Sequence, residues 1–211
     1  ADIREFSIDI TRNNFTLDSI KLSHSTYFKE PVYGSLSDRA ASFSSPEKAN
    51  YPRFTTYTKE FMINNMYKGV DYEGGLSFEG ANVKGTGEKF APAKIKLYRN
   101  DTLYLKVSSR EFLFSKTGLN SQETSMTLFL DKDSIFHSNL GFSYFASTRQ
   151  VNLFRTNNPI SKSPYFNSFH NLDMYFEYLT WNMDESKITM SRSRGAALGQ
   201  ALFESVSFFN T

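Results

Sequence analysis

Residues Ile95–Val107 read IKLYRNDTLYLKV, in which apolar and polar residues alternate on both sides of a polar turn. Side chains of a β-strand point alternately to the two faces of a sheet, so this period of two predicts strands with one buried face. The turn is Arg99–Asp101, and Asn and Asp favour turns because their side chains hydrogen-bond to the nearby main chain. The stretch therefore predicts a β-hairpin.

Other segments repeat this order of strand, polar turn and strand. They are Phe6–Leu22 around Thr11–Asn14, Met126–Ile135 around Asp131–Asp133, and Phe176–Met190 around Asn182–Glu185. Asp101–Tyr104 and Asp133–Phe136 have the same order of residue types: Asp, hydroxyl, aliphatic and aromatic. We therefore expect one hairpin unit to be used twice, in register.

A few segments depart from the pattern. Residues 35–52 are small, polar and irregular and predict a long surface loop. Thr58–Tyr67 fits a strand or a short helix, and Ala196–Leu202 fits one short helix. Gly80 predicts either a β-bulge or a close approach of another main-chain segment. We therefore predict a mainly β fold with little helix, whose antiparallel strands form a sandwich, a jelly roll or a stacked, solenoid-like architecture.

Composition limits the classes of function. The 24 Lys and Arg nearly balance the 22 Asp and Glu, so the basic surface of a nucleic-acid-binding protein is not expected. The chain has no Cys, which excludes disulfides, thiolate metal ligands and thiol catalysis. No apolar run approaches the roughly 20 residues of a transmembrane helix. We interpret residues 1–211 as a single β-rich module and, because the chain opens at Ala1 without Met, as a fragment of a longer protein.

Catalytic and metal-binding motifs are not evident. His24, His137 and His170 do not have the spacing of a zinc site, and we expect no metal, no cofactor and no catalytic residues. The sequence is therefore interpreted as that of a non-enzyme. A hydrolase acting on polysaccharide or lipid, with His137, His170 and Asp173 or two carboxylates in one cleft, is the least favoured alternative.

An aromatic-rich segment near the C-terminal end offers a binding surface. Aromatic faces can stack on sugar rings, so a glycan-binding module is a second hypothesis. Its candidate binding residues are Trp181, Tyr175, Tyr178, His170 and Tyr165. The competing interpretation, which alternation favours, is that these side chains fill the core of a sheet.

Three short triplets have a different character. Asp18–Ile20, Asp101–Leu103 and Asp133–Ile135 each place Asp, a hydroxyl residue and an aliphatic residue in order, at what we expect to be strand starts. They resemble the O-glycosylation acceptor that Bacteroidetes use on exported proteins. The acceptors would be Ser19, Thr102 and Ser134. Ordinary turn chemistry is the alternative, because Asp, Ser and Thr hydrogen-bond to the main chain where a strand leaves a turn.

Several longer phrases together resemble a known group of proteins. They are Tyr51–Phe54, Val70–Phe78, Asp133–His137, Ser168–Tyr175 and Ala201–Ser205. From about Pro52 onwards, the chain is similar to an internal region of long, uncharacterised cell-envelope proteins of Bacteroidetes. The resemblance implies export and an extracytoplasmic location: periplasmic, outer-membrane-associated or at the cell surface.

These observations favour a non-catalytic structural or assembly module of a large exported envelope protein. Its expected partners are the rest of its own longer chain or other envelope proteins, with a glycan as the ligand of the alternative hypothesis. We expect no nucleic-acid partner and no transmembrane segment in this region.

Overall fold

The computed structural model describes residues 11–24, 27–39, 49–192 and 202–206, most of which lie in 17 β-strands of one hydrogen-bonded network. The strands are β1 (Asn14–His24), β2 (Phe28–Arg39), β3 (Arg53–Thr56), β4 (Phe61–Tyr67), β5 (Val70–Glu79), β6 (Asn82–Thr86), β7 (Ala93–Arg99), β8 (Thr102–Ser109), β9 (Glu111–Ser115), β10 (Gly118–Leu130), β11 (Asp133–Phe145), β12 (Gln150–Phe154), β13 (Tyr165–Asn167), β14 (Leu172–Tyr175), β15 (Tyr178–Asn182), β16 (Ile188–Ser191) and β17 (Leu202–Ser205). Their pairings are antiparallel. The described residues contain one helix, a 3₁₀ helix at Pro159–Lys162. The prediction of a mainly antiparallel β fold with little helix is confirmed.

Alternation along each strand builds the core. On β7, Ile95 and Leu97 are fully buried, whereas Lys94 and Lys96 lie on the opposite, outer face. Burying one such aliphatic side chain contributes roughly 1.5–3 kcal/mol. The inner faces of most other strands supply buried residues to the same hydrophobic cluster, so the strands share one continuous core.

The long strands β5 and β10 change partners along their length. Residues 70–73 of β5 pair with β7, and residues 75–79 pair with β6, with Gly74 at the change. Residues 118–120 of β10 pair with β9 and residues 124–128 with β8, with a register shift in between. Strands commonly pass from one set of partners to another at bulges and bends.

These changes divide the network into two strand series. The first series is β4, β5, β7, β8, β10, β11, β13, β14 and β17, and the second is β1, β2, β3, β5, β6, β9, β10, β11, β12, β15 and β16. Because β5 and β10 belong to both, the pairings β5–β7–β8–β10–β9–β6–β5 close a circuit of six strands.

The hairpins predicted around residues 99–101, 131–133 and 182–185 are formed by β7–β8, β10–β11 and β15–β16. The expected in-register repeat is wrong by one residue. Asp101 lies in its turn with a φ of 59°, whereas Asp133 belongs to the pair that closes the other hairpin, opposite Leu130. A register shift near the start of β8 absorbs the difference.

Several local predictions are corrected. The prediction of a loop at residues 35–52 is wrong for residues 35–39, which belong to β2, and residues 36–39 of that strand pair with β1. The ambiguous segment 58–67 contains strand β4. Gly80 lies in the β5–β6 turn with a φ of 58° and not in a bulge, but the alternative of a close main-chain approach is confirmed, because a Cβ there would overlap the main-chain oxygen of Ala49. Residues 6–10, 40–48 and 196–201 lie outside the described residues, and Leu202 begins a strand.

Candidate functional site

Two of the predicted sugar-binding aromatics belong to the core. Trp181 on β15 is 2% exposed and its ring stacks on Tyr104, with centroids 5.7 Å apart. Its indole N–H donates to the main-chain oxygen of Glu185 at 3.1 Å. Tyr165 is fully buried and stacks on Phe176 at 3.9 Å. Trp181 and Tyr165 are therefore not available to stack on a ligand, which corrects their prediction as binding residues.

The other three candidates are not gathered in one place. Tyr175 and Tyr178 are half-buried on β14 and β15, whereas His170 is exposed in the turn after β13. The His170 ring contacts the edge of Phe169, with centroids 4.5 Å apart. Tyr175 lines a shallow, charged depression with Arg155 and Glu177, and Tyr178 lines a different groove, described below.

His137 is a buried, hydrogen-bonded histidine. Its Nδ1 accepts from the main-chain N–H of Asn139 at 3.0 Å, which places the ring proton on Nε2, 2.9 Å from the carbonyl oxygen of Ser163. Burial holds the pKa of His137 below its usual range, with the Arg155 charge adding to the effect. The ring is 1% exposed, so a substrate has no access to either nitrogen.

The three O-glycosylation triplets are not equivalent in the structure. Thr102 and Ser134 lie at the starts of β8 and β11, as predicted. Ser19 instead lies in the middle of β1, at a register shift where its φ is 58°, so its predicted position at a strand start is wrong. Ser19 and Thr102 are exposed and Ser134 is half-buried.

A groove crosses the outer face of β11, β12, β15 and β16. The strand register aligns Ser143, Asn152 and Thr180 side by side as its floor. The next row on one side contains Phe154 and Tyr178, which are also directly paired. Phe145 stands on the other side, and the groove has a volume of about 360 Å³. An aromatic wall beside a row of hydroxyl and amide groups is typical of small-molecule sites.

Gly141 helps to shape this groove. It is the β11 partner of Phe154, and a Cβ at this position would overlap the Phe154 ring. The absence of a side chain therefore lets the ring lie across β11, an arrangement in which an aromatic side chain covers a glycine of the neighbouring strand.

No family model, curated protein or solved structure matches the chain. The resemblance to envelope proteins stays a prediction, and the geometry carries the functional argument.

A second, larger cleft of about 740 Å³ lies between the 87–92 loop and the irregular middle of β10. Glu111 and Glu123 both line it, and each is ion-paired: Glu111 with Lys84 at 3.4 Å and Glu123 with Arg110 at 3.7 Å. The cleft therefore carries balanced charges around its two carboxylates.

Four exposed apolar side chains lie at one end of the first series. Phe136 and Phe166 are directly paired on the outer face of β11 and β13 and are 43% and 37% exposed. The edge strand β17 adds Leu202 and Phe203, at 51% and 54%. We call these four residues the apolar edge.

Two features are absent from the described part of the chain. Within that part of the chain, no helix has the length and hydropathy needed to cross a bilayer. The same residues contain no cluster of three or more His, Cys, Asp or Glu side chains suited to a metal ion.

The sequence interpretation missed the floor of the groove. Ser143, Asn152 and Thr180 come from three strands and share no motif. The available signal was the alternation in Val151–Phe154, which puts Asn152 and Phe154 on one face of a strand.

Proposed function

We propose that this chain is a non-catalytic structural and assembly module of a large exported cell-envelope protein. The observation that carries the proposal is the apolar edge. Strand β17 is the last strand of the first series, where it pairs with β14. We infer that a strand of another protein adds beside β17 through main-chain hydrogen bonds.

The side chains of β17 suit such an addition. Leu202 and Phe203 are about half exposed and offer apolar contacts to an added strand. Glu204 lies directly opposite Asp173 on β14, and like charges in that position disfavour each other. A partner strand with a Lys or Arg beside Glu204 would neutralise this acidic pair, so we expect a partner strand with a basic residue among apolar ones.

Export is the second element of the proposal. It is supported by the resemblance to Bacteroidetes envelope proteins and by the exposure of two acceptor hydroxyls, those of Ser19 and Thr102. A glycan on either side chain would project from the surface without displacing the core.

In-cell photo-cross-linking tests the assembly role. A benzophenone amino acid in place of Phe203, in the full-length protein of the native host, is expected to yield a discrete adduct with an envelope protein or with another region of the same protein. Glu204→Arg, which introduces repulsion towards the expected basic residue, should weaken that adduct.

Phe90 provides the matched control, because it is 92% exposed and lies in the loop between β6 and β7. The same probe at Phe90 should give no discrete adduct. Equal labelling from both positions, or a cytoplasmic location of the protein in cell fractions, would contradict the proposal.

A further inference from the structure

The groove across β11, β12, β15 and β16 lies outside the apolar edge and has its own chemistry. Its lining comprises Ser143, Phe145, Asn152, Phe154, Tyr178, Thr180 and Ser191. All seven side chains are uncharged at neutral pH. We propose that this groove binds a neutral saccharide.

The floor offers hydrogen-bonding groups that are already oriented. Asn152 is 9% exposed, and its Oδ1 accepts from the Gln150 amide at 3.0 Å. This bond fixes the side-chain amide and leaves its Nδ2 without a protein partner among the described residues. The hydroxyl groups of Ser143 and Thr180, on either side of Asn152 in the register, can each donate and accept. A row of mixed donors and acceptors matches the hydroxyl groups of a sugar.

The wall offers stacking surfaces at the required distance from this floor. Phe154 and Tyr178 are paired residues of adjacent strands, so their side chains are neighbours on one face, one row from Asn152 and Thr180. A sugar ring held by its hydroxyl groups along the floor can therefore place its C–H face against these rings. The Tyr178 hydroxyl adds one further donor and acceptor.

The lining also discriminates between ligand classes. A nucleotide or a phosphorylated or acidic sugar would bring an anion into a groove that has no Lys, Arg or His in its lining. A buried, unpaired anion is strongly disfavoured. An alkyl ligand would leave the Asn152 amide unsatisfied, at a similar disadvantage. A neutral sugar meets both the aromatic and the polar requirements.

Binding can be tested on the 211-residue chain by saturation-transfer NMR and calorimetry. The neutral probes are cello-, manno-, xylo- and galacto-oligosaccharides of six residues, and the acidic probe is oligogalacturonate. At least one neutral probe is expected to bind with a Kd of about 1 mM or tighter, and oligogalacturonate at least about tenfold more weakly.

Variants then locate the site. Tyr178→Ala and Phe154→Ala should each weaken binding at least about tenfold. Thr180→Val keeps the shape of the floor and removes one hydroxyl group, and it should weaken binding about fivefold. The matched control is Phe166→Ala, which removes an exposed aromatic ring outside the groove and should leave the Kd unchanged.

Circular dichroism and thermal unfolding confirm that each variant is folded. If Phe154→Ala fails to fold, Thr180→Val and Tyr178→Phe decide the question, because both preserve volume. The proposal is overturned if none of the neutral probes binds at a probe concentration of about 10 mM. It is also overturned if oligogalacturonate binds more tightly than the neutral probes, or if the folded groove variants retain the full affinity of the wild type. None of these results bears on the cross-linking of Phe203, so the two proposals fail independently.

Discussion

The Nε2 atom of His137 lies 2.9 Å from the carbonyl oxygen of Ser163, to which its N–H donates a hydrogen bond. Because burial lowers the pKa of His137 in the folded chain, the unfolded chain binds a proton more readily. Stability is then complete above the unfolded pKa of about 6.5 and decreases as the pH falls towards the lower folded pKa. Urea unfolding between pH 7.5 and 5 should show this loss.

The slope of stability against pH isolates the His137 contribution. His137→Leu is expected to be less stable at every pH, because Ser163 and Asn139 lose their partner, but also less pH-dependent. His170→Ala, at an exposed turn position, should keep the wild-type slope. An unchanged slope in His137→Leu would rule out this assignment.

Trp181 should behave as a core residue. Trp181→Ala is expected to lower the free energy of unfolding by about 3–5 kcal/mol, because it leaves a large cavity beside Tyr104. As Trp181 is the single Trp of the chain, its fluorescence reports on this region alone. The emission should be blue-shifted and resist iodide quenching until the chain unfolds. Ready quenching in the native state would contradict the buried position, and Phe90→Ala should change stability by less than about 0.5 kcal/mol.

Gly118 begins β10 with a φ of 154°, and a Cβ there would overlap the carbonyl oxygen of Tyr144. Gly118→Ala should therefore destabilise the fold by about 2 kcal/mol or more, as measured by urea unfolding. Lys116→Ala, two residues earlier on the exposed turn, is the control and should be close to neutral. Equal stabilities for the two variants would show that the close approach of β10 and β11 is not required.

Glu73 on β5 accepts from Lys94 at 2.6 Å and from Lys96 at 2.8 Å. These two bonds lower the pKa of Glu73, so their stabilisation is present above the unfolded pKa of about 4.3 and is lost as the pH falls through the folded value. The three side chains are 24–37% exposed, and solvent screening limits the expected cost of Glu73→Gln to about 1 kcal/mol or less. The cost should shrink in 1 M salt, whereas Glu88→Gln, at an exposed loop position, should have no measurable effect. A cost that is independent of salt would assign the effect to packing.

The sequence predicted local β-structure well because alternation is a property of one strand at a time. Ile95 and Leu97 alternate with two lysines, and the structure buries the first pair and places the second on the outer face. Alternation does not say which strands pair when they are distant in the chain. The β6–β9 pairing, Val83 opposite Phe114, is an example, because it depends on the packing of the whole core.

The candidate binding residues show the same difference between local strand structure, which alternation predicts, and strand pairing, which it does not. Trp181 and Tyr178 are three residues apart and point to opposite faces of the sheet if one strand contains both. The sequence did not show which of the two faces is buried. The structure puts Trp181 inside and Tyr178 at the wall of the groove. Asn152 could not be assigned to that groove from sequence, since its neighbours Ser143 and Thr180 are supplied by the register of three strands.

The circuit of six strands, β5–β7–β8–β10–β9–β6, has a consequence for the lifetime of the folded state. An open sheet can lose its strands one by one from an edge, whereas a closed circuit has no terminal strand within it. Opening it requires a strand pair to separate while its neighbours are still held on the other side. Closing it requires β6 and β9 to pair across the intervening β7–β8 hairpin, a non-local contact that slows folding. We therefore expect slow folding and slow unfolding of this part of the chain, with amide protons of β5 and β10 among the last to exchange with solvent.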